Sequence, residues 1–224
     1  MPYRFEPCTT NEVYHIFNRS VGKQSIFPDS SFYTRFCDLM PYYRFEKPPY
    51  RFSEYIRLPM RAHLECYNRL ISQKQLVDIC AFCIMPNHFH MLLRQKQDDG
   101  IRRFLTIVQN GYAKYFNTKT NRSGALFQAM FKSVRIETDE QFLHVVRYIH
   151  LNPFSSQIVA SLSDLEKYPW SSFPTYMKQF SLDWIEQNTL LSYCKTPEAL
   201  RKFTFDHAEY QRLLSMESHL YHDQ

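Results

Sequence analysis

Apolar positions along this chain follow two periods, and the switches between them mark its elements. Val13 to Asn18 (VYHIFN) is dense in β-branched and aromatic residues and reads as a first strand. From about Asp29 to Gln75 the spacing is mostly helical. Pro48 and Pro49 interrupt it, and the Tyr/Arg-rich, Pro-containing stretch Pro41 to Arg51 reads as a loop or insertion between two helices. Leu76 to Met85 is apolar enough to be a central strand. Pro86-Asn87 supplies a turn and His88 to Arg94 a third strand, so these two strands should pair as a hairpin.

Ile101, Phe104, Leu105, Val108, Tyr112, Tyr115 and Phe116 fall at helical spacing and predict an amphipathic helix from Ile101 to Asn117. A polar turn at Asn121 to Gly124 precedes a fourth strand, Phe131 to Ile136. Thr138-Asp-Glu-Gln141 is a capping box, in which the Thr side chain satisfies an N-terminal amide and Gln reaches back. The helix it opens is expected to end near Asn152, because proline follows. After Pro153 the pattern loosens. Tyr168-Pro-Trp-Ser-Ser172 reads as a docked aromatic segment, and about Ser181 to His219 as short helices. The order of elements suggests an α+β fold, an antiparallel sheet with helices mainly on one face.

A length of 224 residues allows one sizeable core and an appended subdomain. Aromatic residues make up 17%, which composition alone assigns to a well-filled core rather than to a surface for stacking on unpaired bases. The net charge of +5 is a mild excess, compatible with a polyanionic partner or with an ordinary soluble protein. Its distribution says more. Arg94, Lys96, Arg102, Arg103, Lys114, Lys119, Arg122, Lys132, Arg135 and Arg147 face few acids in their stretch, which is a candidate phosphate-contacting face.

No run of about 18 apolar residues marks a membrane span, and the first thirty residues lack a signal-peptide core, so a cytoplasmic location is expected. The six cysteines are then mostly reduced. Cys80 and Cys83 form a C-x-x-C without a second pair at zinc-finger spacing, inside an apolar run, and read as buried strand residues. No Walker or Rossmann motif is present.

Residues two apart in a strand point the same way, so His88 and His90 share a face and can chelate one divalent ion. Taken alone, an H-x-H pattern is more often a pair of partly exposed structural histidines than a metal site. In the capped helix, His144, Tyr148 and Asn152 stand at i, i+4, i+8 and form one stripe. Tyr148 is then either a nucleophile facing the histidines or a core aromatic. Asn152 is either a third metal ligand through its carbonyl oxygen or a cap before Pro153.

Six blocks in order weigh on that choice. They are Tyr14-His-Ile-Phe-Asn-Arg19, Ile84-Met-Pro-Asn-His-Phe-His-Met-Leu-Leu93, Tyr112-Ala-Lys-Tyr-Phe-Asn117, Gly124-Ala-Leu-Phe-Gln128 with Phe131-Lys132, Arg147-Tyr-Ile-His-Leu-Asn-Pro153, and Tyr168-Pro-Trp-Ser-Ser172. In these the chain resembles the single-tyrosine HUH transposases of small insertion sequences, in particular the REP-associated tyrosine transposases. The segment around Pro41 to Ala62 is longer than in compact members.

The resemblance implies a ferredoxin-like catalytic domain over about 10–175, with 176–224 as a helical C-terminal appendage packed on it. It implies that His88 and His90 are the metal pair, with Asn152 completing the shell, and that Tyr148, not Tyr112 or Tyr115, is the catalytic tyrosine. The chemistry it implies is metal-assisted nicking and rejoining of single-stranded DNA through a 5′-phosphotyrosine, with Mg²⁺ or Mn²⁺ as cofactor. Single-stranded or hairpin DNA is the expected partner, contacted by Arg19, Arg94, Arg102, Arg103, Lys114, Lys132, Arg135 and Arg147. A homodimer stays open. The competing expectation is a domesticated, regulatory nucleic-acid-binding protein on the same fold.

Overall fold

The structure, a computed structural model, describes residues 7–213. Its centre is a four-stranded sheet of β1 (Val13–Arg19), β2 (Val77–Met85), β3 (His88–Gln95) and β4 (Lys132–Arg135). The strand order is β2-β3-β1-β4 and every pairing is antiparallel. The hairpin at Pro86-Asn87 forms as its turn residues predict, with Met85 opposite His88.

Alternation along the central strands sorts the two faces. Register places Phe17 opposite His90 and Arg19 opposite His88, so His15, Phe17 and Arg19 share the histidine face. Tyr14, Ile16 and Asn18 share the other face with Phe89, Met91 and Leu93.

The helices are α1 (Ser30–Tyr43), α2 (Phe52–Tyr55), α3 (Met60–Ile71), α4 (Gly100–Lys119), α5 (Asp139–Ser155), α6 (Leu162–Leu165), α7 (Phe173–Tyr176), α8 (Asn188–Cys194) and α9 (Pro197–Phe205). The crossover helices α1 and α4 lie together on the Phe89 face. Phe36 meets Phe89 at 5.3 Å and Tyr112 at 5.2 Å between ring centres, and Asn18 Nδ2 donates to Gln109 Oε1 at 2.7 Å. The arrangement is the ferredoxin-like α+β fold. The helix added after β4, α5, crosses the opposite, histidine-bearing face.

Two helix ends differ from their sequence expectation for the same reason. Helix α1 runs through Pro41 to Tyr43, and α5 runs through Pro153 to Ser155. A proline in the last turn removes one amide donor from a helix that is already ending, and buried neighbours hold the remaining backbone. The carbonyl that loses its donor is that of Ile149; one residue earlier the Tyr148 carbonyl accepts from two side chains, Asn152 Nδ2 at 2.8 Å and Gln211 Nε2 at 3.1 Å.

The Tyr168–Ser172 block and the residues after it lie along the outer edge of β2. Ser172 N–H donates to the Phe82 carbonyl at 3.0 Å, the Trp170 carbonyl accepts from Ile84 N at 2.8 Å, and Glu186 N–H donates to the Ile79 carbonyl at 2.9 Å. Tyr168 and Tyr176 hydroxyls donate to the Ile84 and Cys80 carbonyls at 2.8 and 2.6 Å. These bonds cover donors and acceptors that would otherwise template another strand. They also anchor α5 from below, since His150 Nε2 lies 2.9 Å from Ser172 Oγ. The expected helices between Ser181 and His219 appear as α8 and α9; positions beyond 213 lie outside the described residues. Cys80 and Cys83 are free and buried, and burial pushes the Cys80 thiol up to about 12.

Candidate active site

A cleft of about 440 Å³ opens on the histidine face between the sheet and α5. Strand β3 contributes His88 and His90, β1 contributes His15, Phe17 and Arg19, and β4 contributes Lys132. Tyr148 and Asn152 enter from α5. The structure therefore brings together the metal pair, the tyrosine and the carboxamide expected from sequence. The Tyr148 ring stands edge-on to His90 at 5.3 Å and to His15 at 5.8 Å. Tyr148 is 38% exposed, whereas Tyr112 is wholly buried with its hydroxyl bonded to the Ile26 carbonyl. Tyr115 lies on the opposite layer, against Phe32 and Arg35.

Both histidines are held through Nδ1. His88 Nδ1 lies 2.6 Å from Asn87 Oδ1, an acceptor only, so Nδ1 carries the proton and Nε2 keeps a lone pair. His90 Nδ1 lies 3.0 Å from His15 Nε2, with the two rings stacked at 5.2 Å. When His90 donates in this pair, its Nε2 also keeps a lone pair. Burial holds His90 well below its ordinary pKa, helped by the charges of His88, His15 and Arg19, and burial lowers His15 to about 4. Near neutral pH the His90 and His15 rings are therefore uncharged, the form in which imidazole binds a metal. Among the described residues no group of three His, Cys, Asp or Glu is placed to hold a metal ion together. The donor set is two imidazoles with an adjacent amide, which suits one divalent ion with open positions for substrate oxygens.

Burial raises the Tyr148 phenol, while the Asn152 side chain and the Arg19 charge pull it back. His144 leaves the stripe. Eight residues on, a helix has drifted off its starting face, and His144 Nδ1 instead lies 2.6 Å from an Arg147 guanidinium nitrogen.

The basic stretch does not form one face, because its residues alternate between strands and helices on different layers. Arg19 and Lys132 line the cleft. Arg94 pairs with Asp78 at 3.8 Å and donates to Thr189, Arg103 reaches Glu46 at 3.8 Å, Arg135 reaches Glu12 at 3.0 Å, and Arg102 holds Asp99. Lys114 belongs to another hollow. Arg147 is buried, its guanidinium 4.7 Å over the Phe203 ring of α9, and does not reach the cleft.

Sequence reasoning missed His15, Phe17, Asn18 and Gln128, which also line the cleft. Strand alternation in VYHIFNR carries the signal for His15 and Phe17, once the register with β3 is known.

The family model for IS200-like transposases matches residues 48–152. Over that stretch, a little under half of the chain, the sequence is similar to the IS200-like transposases. The match spans His88, His90, Tyr148 and Asn152 and begins after β1. The match supports a DNA-binding enzyme of a DNA-cleaving kind. A solved structure of a REP-associated tyrosine transposase bound to a REP hairpin superposes with a TM-score of 0.50, over 84% of this chain and 92% of that one. At 15% identity the likeness is one of fold. No curated protein matches the sequence. Among the described residues no helix is long and apolar enough to cross a membrane.

Proposed function

We propose that this chain nicks and rejoins single-stranded DNA through a covalent bond to Tyr148. The reading rests on one observation: Tyr148 stands edge-on to His90, at 5.3 Å, in a cleft shared with His88 and Asn152. His88 and His90 through Nε2, with Asn152 through its side-chain oxygen, are the groups that would hold Mg²⁺ or Mn²⁺. Such an ion supplies Lewis-acid polarisation of a non-bridging phosphate oxygen and offsets charge developing at phosphorus.

The chain's own residues do the rest. Arg19 and Lys132 draw the phosphate into the cleft, and Phe17 offers a ring for a neighbouring base. The Tyr148 phenol loses its proton to solvent and its oxygen attacks phosphorus. A bond forms between Tyr148 and the 5′-phosphate as the bond to the 3′ oxygen breaks, and that oxygen takes up a proton to leave as a hydroxyl. Attack by a 3′-hydroxyl on the phosphotyrosine reverses the exchange. One phosphoester is traded for another, so no nucleotide cofactor is consumed. The similar solved structure holds a REP hairpin, which makes a single strand flanking a hairpin the first substrate to try.

The test is a labelled single strand flanking a hairpin, incubated with the protein and Mn²⁺. A denaturation-resistant adduct is expected from the native chain and none from Tyr148→Phe. A noncovalent complex alone, from the native chain, refutes the proposal in favour of a regulatory DNA-binding protein.

A further inference from the structure

A second hollow of about 460 Å³ lies on the opposite layer, between α1, α4 and the α2 segment. Arg35, Arg51, Arg57, Lys114 and Lys119 line it, and no carboxylate does among the described residues. The nearest acids are turned elsewhere. Glu54 Oε2 accepts from the Arg51 amide at 3.2 Å, and Asp38 opens on the adjoining hollow beside Arg35. The Arg35 guanidinium is spread over two rings, 4.6 Å from Tyr115 and 5.2 Å from Phe52, which fixes its position, while Asp38 beside it offsets part of its charge. Burial alone would raise the Tyr115 phenol, yet its pKa is lowered, because Lys119, Ser31 and Arg35 outweigh burial. The hollow carries a positive field inside a shaped recess.

Its position gives that field a use. Tyr112, on the same helix as Tyr115 and Lys119, bonds the Ile26 carbonyl, and the Ile26 amide donates to the Pro86 carbonyl at 2.8 Å. The C-terminal half of α4 therefore lies at the hairpin end of the sheet, the same end at which His88 enters the cleft on the other face. A nucleic acid passing round that end meets both. The α2 segment, flanked by Arg51 and Arg57, lies within the stretch Pro41 to Ala62.

We infer that this hollow is a second phosphate-binding site, built in part by the α2 segment, which grips the backbone of the duplex arm of a DNA whose single strand lies in the Tyr148 cleft. The inference rests on the DNA-cleaving reading above. Phosphate contacts here carry no sequence information and set position only. They add to affinity for a hairpin with a tail and not to affinity for the tail alone.

The experiment compares Arg57→Glu/Lys114→Glu with the native full chain, using fluorescence anisotropy on a tailed hairpin and on the tail alone across a salt series. Arg57 and Lys114 are both exposed at the rim of the hollow, and a thermal melt confirms the fold. The double variant should bind the tailed hairpin about tenfold more weakly and lose nearly two units of salt slope, about 0.9 for each phosphate contact. Its affinity for the tail should be unchanged. Arg57→Gln/Lys114→Gln should fall between. Unchanged hairpin affinity, or equal loss on hairpin and tail, overturns the inference while adduct formation on the tail still tests the nuclease separately. Competition by free inorganic phosphate, without any effect of the variant on hairpin affinity, makes this a small-anion site and also overturns it.

Discussion

His15 Nε2 lies 3.0 Å from His90 Nδ1, and the two rings stack with centres 5.2 Å apart. A histidine that ligates through Nε2 works best when its other nitrogen is fixed, because that partner sets both tautomer and ring angle. On the proposed reading, His15 is thus a positioning residue behind a metal ligand. His15→Phe keeps a ring in the stack and removes the nitrogen. Its affinity for Mn²⁺, read by calorimetry, should fall ~10- to 100-fold, whereas His88→Ala should abolish binding. Native affinity in His15→Phe would show that the pair is only a packing contact.

Tyr148 and Tyr115 stand on opposite layers of one sheet, and only Tyr148 shares the cleft with the histidines. Tyr148→Phe deletes one oxygen and leaves the edge-on ring contact with His90. The covalent adduct should vanish while DNA affinity stays within about twofold, since a phosphate-contact interface draws its affinity from cations. Tyr115→Phe should form adduct at the native rate. An adduct lost in Tyr115→Phe and kept in Tyr148→Phe reverses the assignment.

Much of this site is legible in the sequence, and the parts that are not share a physical reason. His88 and His90 lie in one strand, so a period of two places them together. Tyr148 and Asn152 lie in one helix, four residues apart. Each relation is local. That the two pairs meet depends on α5 crossing the histidine face, a tertiary fact. His15 stays hidden because its role needs the β1–β3 register, which no periodicity within β1 states. Charge counting puts Arg147 on the DNA because it ignores burial, and Phe203, which covers that guanidinium, comes from a distant helix. Pro153 misleads in the other direction: a proline in a last turn does not end a helix whose C-terminal residues are buried.

Arg19, Lys132 and Arg147 separate two kinds of cation. The first two line the cleft, and the third is packed under Phe203. Arg19→Ala and Lys132→Ala should each weaken single-strand binding and reduce the salt slope by about 0.7. Arg147→Ala should leave the slope unchanged and destabilise the fold instead, because it strips a cation–π contact and the bond to His144. Affinity titrations at several salt concentrations, beside urea melts, decide this. A slope change in Arg147→Ala places that guanidinium on the DNA.

His150 offers a test of how α5 is held. It is fully buried between Phe173 and Tyr176, with Nε2 on Ser172 Oγ, and burial depresses its pKa from 6.5 to about 3. Among the described residues its Nδ1 has no partner. The unfolded chain therefore takes up a proton below pH 6.5 that the folded chain refuses until about pH 3. Stability is complete above 6.5 and declines as pH falls through that window, by about 1.4 kcal/mol per unit. His15 and His90 act in the same direction, so the absolute pH dependence is shared. A difference between variants isolates His150. Glutamine at this position retains an amide for Ser172 and cannot titrate. Between pH 7 and pH 5 the native chain should lose about 2 kcal/mol more than His150→Gln, measured as the shift in urea midpoint at a common slope. Identical losses in both proteins would mean that water reaches the imidazole, and that α5 is not sealed against the Tyr168–Ser172 edge segment as tightly as its hydrogen bonds imply.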